Sequence, residues 1–144
     1  MTPTEVFSIA GMITMPMWIL MIFLPKWKVT RFLIDFKIIP LLLSLTYTFY
    51  IFKAILIGGM MDFGSLTSVM ALFTEENAVL AGWVHYLAFD LFVGLWIAKD
   101  ADAKDVSRIL QAPILLATFV AGPIGLFVWL VVREGRARAA ARAA

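Results

Sequence analysis

Residues 77–98 have the sequence NAVLAGWVHYLAFDLFVGLWIA, an apolar run that can cross a bilayer and yet contains His85 and Asp90. A hydrocarbon core about 30 Å thick requires about 20 consecutive apolar residues in a helix. Three more runs of this kind occur, at residues 6–24, 38–57 and 109–132. The four runs predict an all-α integral membrane protein, a bundle of four transmembrane helices.

The composition agrees with a membrane protein. Hydrophobic residues make up 62% of the 144 residues and charged residues 15%. A soluble domain of this size has too much surface for its volume to bury so much apolar material. Residues 1–132 are therefore predicted to form one transmembrane domain. Residues 133–144, with four arginines in an alanine-rich background, are expected to form a flexible basic tail.

The segment between the second and third runs, residues 60–76, is too short and too polar to cross. Within it, residues 60–73 are predicted to form a short interfacial helix that lies on the membrane surface over the outer mouth of the bundle, with Asp62 as its N-cap. Thr74 is the expected N-cap of the third span. Four apolar side chains of the segment fall on one helical face. They are Leu66, Val69, Met70 and Phe73.

The basic residues predict the orientation. Residues 25–37 contain four lysines and arginines, residues 99–108 contain three, and residues 58–76 contain none. The first and third loops are therefore expected in the cytoplasm and the N-terminus outside. Four spans would also place the four arginines of residues 133–144 outside, against the same rule. The start of the chain has no basic leader, so we expect no secretory signal peptide.

Several kinds of site are excluded by residue type. The chain has no cysteine and a single histidine. Disulfides, iron–sulfur clusters and multi-histidine metal sites within one subunit are therefore excluded. The basic residues follow the apolar runs and give no nucleic-acid footprint. We expect no metal, no cofactor and no nucleic acid; the expected partners are membrane lipids and an apolar lipid ligand.

His85 and Asp90 are the main candidates for function. An ionisable side chain in the hydrocarbon region costs at least about 2.5 kcal/mol on insertion scales, so it normally faces a partner or a cavity. At 1.5 Å per residue, His85 lies about 12 Å and Asp90 about 20 Å below the outer end. Five residues of helix rotate them apart by about 140°, so no direct bond is expected. Both are expected to face the bundle interior, as a ligand or catalytic site or as interhelical hydrogen-bonding groups.

Depth along the spans predicts the partners of Asp90. Tyr86 precedes it by four residues and can lie beside it on the same helix. In an antiparallel arrangement, the second span presents hydroxyl groups at the same level. We expect at least one of them to reach the carboxylate: Ser44, Thr46 or Tyr47.

The fourth run is interrupted by Gly122-Pro123-Ile124-Gly125. Proline cannot donate the helical hydrogen bond, so the carbonyl of Phe119 is expected to be free beside Thr118. Broken backbone at membrane depth is tolerated where it lines a cavity. We expect His85 to open toward such a cavity; a simple proline kink is the alternative.

The third run carries a resemblance to a known family. Its segment Leu80-Ala81-Gly82-Trp83-Val84-His85-Tyr86-Leu87-Ala88-Phe89-Asp90-Leu91-Phe92, with Asp100 beyond it, resembles the abscisic-acid-deficient-four-like membrane proteins. Plant members of that family are required for neoxanthin synthesis. Residues 24–30, 65–73 and 122–125 agree in order and spacing. Without a plastid transit peptide, the chain is similar to a stand-alone bacterial member, and this resemblance implies a location in the bacterial inner membrane.

The resemblance implies chemistry on a carotenoid or a related isoprenoid lipid. Conversion of violaxanthin to neoxanthin is an isomerisation that needs one acid and one base and no electron acceptor. His85 and Asp90 would be the catalytic pair. The residues expected to contact the substrate are Trp83, Tyr86, Phe89, Thr118 and Pro123. Bacteria generally do not make neoxanthin, so the plant substrate is not carried over.

Two functions without catalysis remain as alternatives. Ala81 precedes His85 by four residues and leaves room for a flat macrocycle, a spacing that resembles chlorophyll-binding helices. A pigment-binding protein is therefore one alternative. The other is a structural subunit of a larger membrane complex or a homo-oligomer. A visible spectrum distinguishes a chlorophyll-like pigment from a carotenoid or a colourless isoprenoid, because only the chlorophyll-like pigment gives Soret and Qy bands.

Overall fold

The computed structural model describes residues 1–58 and 61–143 of the chain. These residues form α-helices and contain no strand, which confirms the all-α prediction. The helices are α1 Pro3–Phe23, α2 Lys28–Phe36, α3 Ile38–Gly58, α4 Leu66–Leu72, α5 Glu76–Ala103, α6 Arg108–Val120 and α7 Gly122–Ala143. Three of them, α1, α3 and α5, are long and apolar enough to cross a membrane.

α5 is the central helix and packs against α1, α3, α6 and α7. It runs parallel to α1, because Phe7 contacts Trp83 with ring centroids 5.5 Å apart and Trp18 packs further along on Gly94. Gly94 is required there, since a Cβ would collide with the indole ring of Trp18. Buried side chains of α5 contribute to two apolar clusters, one toward each of its ends.

α3 runs antiparallel to α5 along a seam of close contact. Tyr47 and His85 lie near its middle, with ring centroids 5.2 Å apart. Pro40 lies beside Phe92 toward one end of the seam. The alternating directions of α1, α3 and α5 are those expected of three successive spans joined by short connections.

The first polar connection contains a helix that the sequence analysis did not predict. α2 occupies most of the predicted loop 25–37 and buries Thr30 and Ile34 on one face. The helix ends at Lys37, whose φ of 52° lies in the left-handed region. This residue lets the chain turn directly into α3.

The short helix predicted over residues 60–73 is present in part, as α4 at Leu66–Leu72; residue 60 lies outside the described residues. Its N-cap is Ser65, which accepts a hydrogen bond from the Ser68 N–H at 3.0 Å. The predicted cap Asp62 instead accepts from the Gly64 N–H at 2.8 Å in a tight turn. The predicted cap of the third span is also corrected: α5 follows Glu75, and the hydroxyl of Thr74 donates to the carbonyl of Ala71.

The predicted fourth span is two helices, because α6 ends at Val120 and α7 begins at Gly122. The two helices pack against each other. Gly125 lies so close to Thr118 that a Cβ would collide with the Thr118 backbone. In a continuous helix seven residues separate two positions by about 10 Å, so this contact requires the chain to reverse.

The far ends of α6 and α7 meet the same end of α5. Gln111 of α6 donates to Asp102 at 3.2 Å, and Trp129 of α7 donates to Asp100 at 3.2 Å. α6 and α7 therefore form a helical hairpin, whose tip is at Ala121. α7 continues beyond these contacts to Ala143 and includes the arginine-rich tail.

Candidate functional site

Asp90 lies at the tip of the α6–α7 hairpin. It is 8% exposed, and its carboxylate faces the backbone N–H of Gly122 and the hydroxyl of Tyr86. A Cβ at Gly122 would collide with the carboxylate, so any other residue at this position would have to displace the Asp90 side chain. The Tyr86 hydroxyl donates to the carbonyl of Val120 at 3.2 Å, the last residue of α6. α5 is thus joined to both halves of the hairpin tip.

The electrostatics of the tip suit a carboxylate. Backbone N–H groups in the first turn of a helix have no helical acceptor, and they carry the positive end of the helix dipole. Gly122 is the first residue of α7 and directs this end at Asp90. The Oδ2 atom of Asp90 has no hydrogen-bond partner in the part of the chain that the structure describes.

The prediction that a hydroxyl group of α3 reaches the Asp90 carboxylate is wrong. The Thr46 hydroxyl donates to its own helix, to the Leu42 carbonyl at 3.0 Å. Tyr47 packs its ring against His85, and Ser44 lies beside Phe89, on the α3 side of α5. Asp90 points to the other side of α5, toward α7, because of its rotation about the helix axis.

His85 lies on the face of α5 that packs against α3, whereas Asp90 lies on the face toward α7. The absence of a direct bond between the two is as predicted, but His85 is exposed and does not face the bundle interior. Its ring stacks on Phe89, with centroids 4.6 Å apart, and packs against Tyr47. The prediction that it opens toward the broken helix near Pro123 is therefore wrong, since α3 and not α7 adjoins this face.

His85 lines a cavity of about 260 Å³, which we name the α3–α5 groove. Its walls are α3, α5 and the segment that contains α4. Among its lining side chains are Tyr47, Tyr50, Ala54, Met61, Phe63, Phe73 and His85. A second volume of about 340 Å³ adjoins it at the outer end, shares Ala54 and Met61, and is bordered by Lys53 and Glu75. The groove is apolar in its middle and charged at one end.

The other predicted contact residues do not form one site. Phe89 lies with His85 on the side of α3. Trp83 stacks between Phe7 and Tyr86 on the side of α1. Thr118 is fully buried within the hairpin and bonds the carbonyl of Ile114 at 2.8 Å, while Pro123 is exposed. The backbone carbonyl that a side chain of α5 binds at the interruption is that of Val120, which accepts from the Tyr86 hydroxyl.

A polar cluster at the end of α5 escaped the sequence analysis. Asp100 accepts hydrogen bonds from Lys104 at 2.6 Å and from the indole N–H of Trp129 at 3.2 Å, and it forms an ion pair with Arg133 at 3.0 Å. Trp129 is completely buried. Asp100 therefore fixes α7 to α5 by an ion pair with Arg133 and by a hydrogen bond from Trp129 to a charged acceptor, which is stronger than a neutral hydrogen bond.

Asp102 connects the same end of α5 to α2 and α6. It accepts a hydrogen bond from Arg31 at 2.8 Å and forms an ion pair with Arg108 at 2.7 Å. Nearby, Lys99 donates to Asp35 at 2.8 Å and lowers the pKa of that carboxyl group. The signal in the sequence was a pair of aspartates, two residues apart, directly after an apolar run.

Comparison with known proteins identifies the family. A family model described as ABA DEFICIENT 4-like matches residues 5–129. The chain belongs to the ABA DEFICIENT 4-like family. The family predicted from the third apolar run is confirmed. Neither the curated proteins nor the solved structures contain a significant match to the chain.

The ABA DEFICIENT 4-like match covers both the α3–α5 groove and the contact of Asp90 with the hairpin tip. It includes α1 to α6 and the first residues of α7, and thus His85, Asp90 and the hairpin tip. It ends at Trp129 and does not include Arg133 or the rest of the basic tail. Within the described residues, no three His, Asp or Glu side chains are grouped to hold a metal ion.

Proposed function

We propose that this ABA DEFICIENT 4-like membrane protein binds a carotenoid or a related isoprenoid lipid in the α3–α5 groove. The observation that carries the proposal is an apolar, aromatic cavity with one histidine in its wall. Ligand sites are typically apolar cavities with a few polar groups that set the orientation. The exposed ring of His85 between Tyr47 and Phe89 supplies such a group.

The length of the seam favours a long, thin ligand. Indentations follow one another along α3 and α5 from Asn77 to Phe92. Fifteen residues of helix correspond to about 22 Å. An extended polyene or prenyl chain matches this shape, and charged groups such as Lys53 and Glu75 border the outer end, where a polar end group would lie.

Isomerisation in the groove would rely on His85 for proton transfer. Asp90 is buried on the opposite side of α5 against Gly122, so the geometry does not support the acid–base pair expected from the sequence. The groove also contains the phenol of Tyr47, on the facing helix α3, whose ring packs against His85. In this proposal Asp90 is a positioning residue that holds the hairpin tip.

The same proposal includes the membrane topology. α1, α3 and α5 cross the membrane, whereas the α6–α7 hairpin enters from the cytoplasmic side, reaches the level of Asp90 and returns. Twelve residues of helix separate Asp90 from Asp102, so the hairpin reaches a depth of about 18 Å. Every lysine and arginine except Lys53 then lies on one side, and the charge conflict of a four-span bundle disappears. For a bacterial inner membrane that side is the cytoplasm.

The experiment is to fill the groove and to analyse the lipids that remain bound. Ala54 lines both volumes of the groove, and Ala54→Trp should remove most of the copurifying isoprenoid. Leu45→Trp, at an exposed position elsewhere on α3, is the matched control and should keep it. Mass spectrometry and the visible spectrum of the purified protein give the result.

Two results contradict the proposal. A protein that contains no isoprenoid and binds none when isoprenoids are added would exclude this ligand class. Soret and Qy bands that Ala54→Trp abolishes would assign the groove to a chlorophyll-like pigment, for which the small side chain of Ala81 leaves room beside His85.

A further inference from the structure

A second indentation lies at the inner end of the α3–α5 seam, beyond Phe92. Its volume is about 400 Å³, and it lies between α5 and the junction of α2 with α3. Its apolar wall includes Ile34, Phe92 and Leu95, and its rim carries the ammonium groups of Lys37 and Lys99. Phe92 borders both this indentation and the seam proposed for the isoprenoid, whereas the other lining residues belong to this indentation alone.

Among the described residues, Asp35 provides the one carboxylate that forms an ion pair with either of these two lysines. Lys37 donates to the backbone carbonyl of Asp35 at 3.3 Å, and Lys99 donates to its carboxylate at 2.8 Å. The side chains of Lys99 and Asp35 are 46% and 49% exposed. Exposed ion pairs contribute little net stability, so both ammonium groups can reorient toward another anion at little cost.

Basic side chains neutralise the negative charge on the opposite rim of the indentation. Its carboxylate, Asp100, is already bound by Lys104 and Arg133. The Arg133 guanidinium lies 6.0 Å from the centre of the Trp96 ring, which also lines the indentation. A tryptophan beside cations at the end of a membrane span is typical of the lipid headgroup region.

We propose that this indentation binds one anionic phospholipid of the cytoplasmic leaflet. The phosphate lies between Lys37 and Lys99, and an acyl chain follows Phe92 and Leu95 into the membrane. Basic pockets between helices on the cytoplasmic side suit acidic headgroups. The apolar wall below the lysines favours a lipid over free phosphate. The site rests on the proposed membrane topology and not on the isoprenoid ligand.

The test is native mass spectrometry of the purified protein with added phosphatidylglycerol or phosphatidylcholine. The wild-type chain should bind phosphatidylglycerol more tightly than phosphatidylcholine. Each lysine near an anionic headgroup contributes about fivefold, so Lys37→Gln with Lys99→Gln should weaken phosphatidylglycerol binding about 25-fold. Isoprenoid bound in the α3–α5 groove should be unchanged in this variant, which separates the two proposals.

Two controls define the site. Lys26→Gln with Lys28→Gln removes the same charge outside the indentation and should change the affinity by less than about threefold, the effect of distant charge alone. Asp35→Asn breaks the same ion pair but keeps both lysines, and should leave the affinity equal or higher. Equal losses in the two double variants, equal binding of phosphatidylcholine, or displacement of the lipid by inorganic phosphate would each overturn the proposal.

Discussion

Asp90 and Gly122 form a contact in which each residue depends on the other. The carboxylate occupies the position that a Cβ would take at residue 122, and it faces the first N–H group of α7. A buried carboxylate needs such a donor, because an unpaired charge away from water is very costly. The interruption at residues 122–125 was attributed to Pro123 from the sequence, but in the structure Gly122 makes the decisive contact.

We predict that Gly122→Ala destabilises the folded protein. The added methyl group must displace the Asp90 carboxylate, and overpacking of this kind costs about 1–3 kcal/mol, which exceeds the gain of at most about 1 kcal/mol from alanine in a helix. Thermal unfolding in a mild detergent measures the effect. Gly11→Ala is the control, because a Cβ there meets no atom within 4 Å.

A second variant distinguishes this collision from a general effect on α7. Removal of the carboxylate makes room, so Asp90→Ala combined with Gly122→Ala should cost less than the sum of the two single changes. Strict additivity of the two losses would show that the side chains do not interact.

The sequence could predict that His85 and Asp90 face different directions, because helical geometry alone sets the angle between them. It could not predict which neighbour each one meets. That depends on the order of helices around α5, and two residues at similar depth can face either α3 or the hairpin. The sequence predicts that Asp90 meets the second span and that His85 faces the interrupted fourth run. In the structure the two neighbours are exchanged, because His85 meets α3 and Asp90 meets α7.

Among the elements, α1, α3 and α5 were predictable because length and hydropathy decide a membrane span. The α6–α7 hairpin was not, since an apolar run of the same length fits one straight helix or two folded ones. Its reversal depends on long-range contacts: the approach of Gly125 to Thr118 and the bonds of Trp129 and Arg133 to Asp100. Hydropathy contains no information about such contacts.

We predict that Asp100→Asn releases α7 from the end of α5. The variant keeps the side-chain shape but loses the charge that holds Lys104 and Arg133. Hydrogen bonds to charged groups contribute about 1.5–3 kcal/mol. A pair of spin labels at Ala103 and Ala139 should report a broader and longer distance distribution in the variant.

The matched control for that experiment is Glu134→Gln. It breaks an exposed ion pair with Arg138 inside α7 and leaves the contacts with α5 intact, so the distances should not change. An equal change in both variants would mean that Asp100 does not fix the hairpin.

For the molecule as a whole, the hairpin changes the predicted sidedness of the C-terminus. Four crossings would leave both termini on the same side, whereas three crossings and a hairpin leave them on opposite sides. Because the chain has no native cysteine, single introduced cysteines can be labelled without background. In intact cells an impermeant thiol reagent should label Ser65→Cys and should not label Ala140→Cys.

Permeabilised cells provide the control, since both positions should then react. Labelling of Ala140→Cys in intact cells together with Ser65→Cys would establish four crossings and would remove the re-entrant hairpin. Protection of Ser65→Cys in intact cells would reverse the proposed orientation.

The isoprenoid groove is the claim on which the function depends, and the location of a bound ligand tests it most directly. A C20 isoprenoid that carries a photoreactive diazirine should cross-link to peptides around Tyr47, Phe63 and His85, which line the groove. Ala54→Trp should suppress these cross-links and Leu45→Trp should not. Cross-links confined to α1 or to the hairpin, or unaffected by Ala54→Trp, would contradict the proposed binding site.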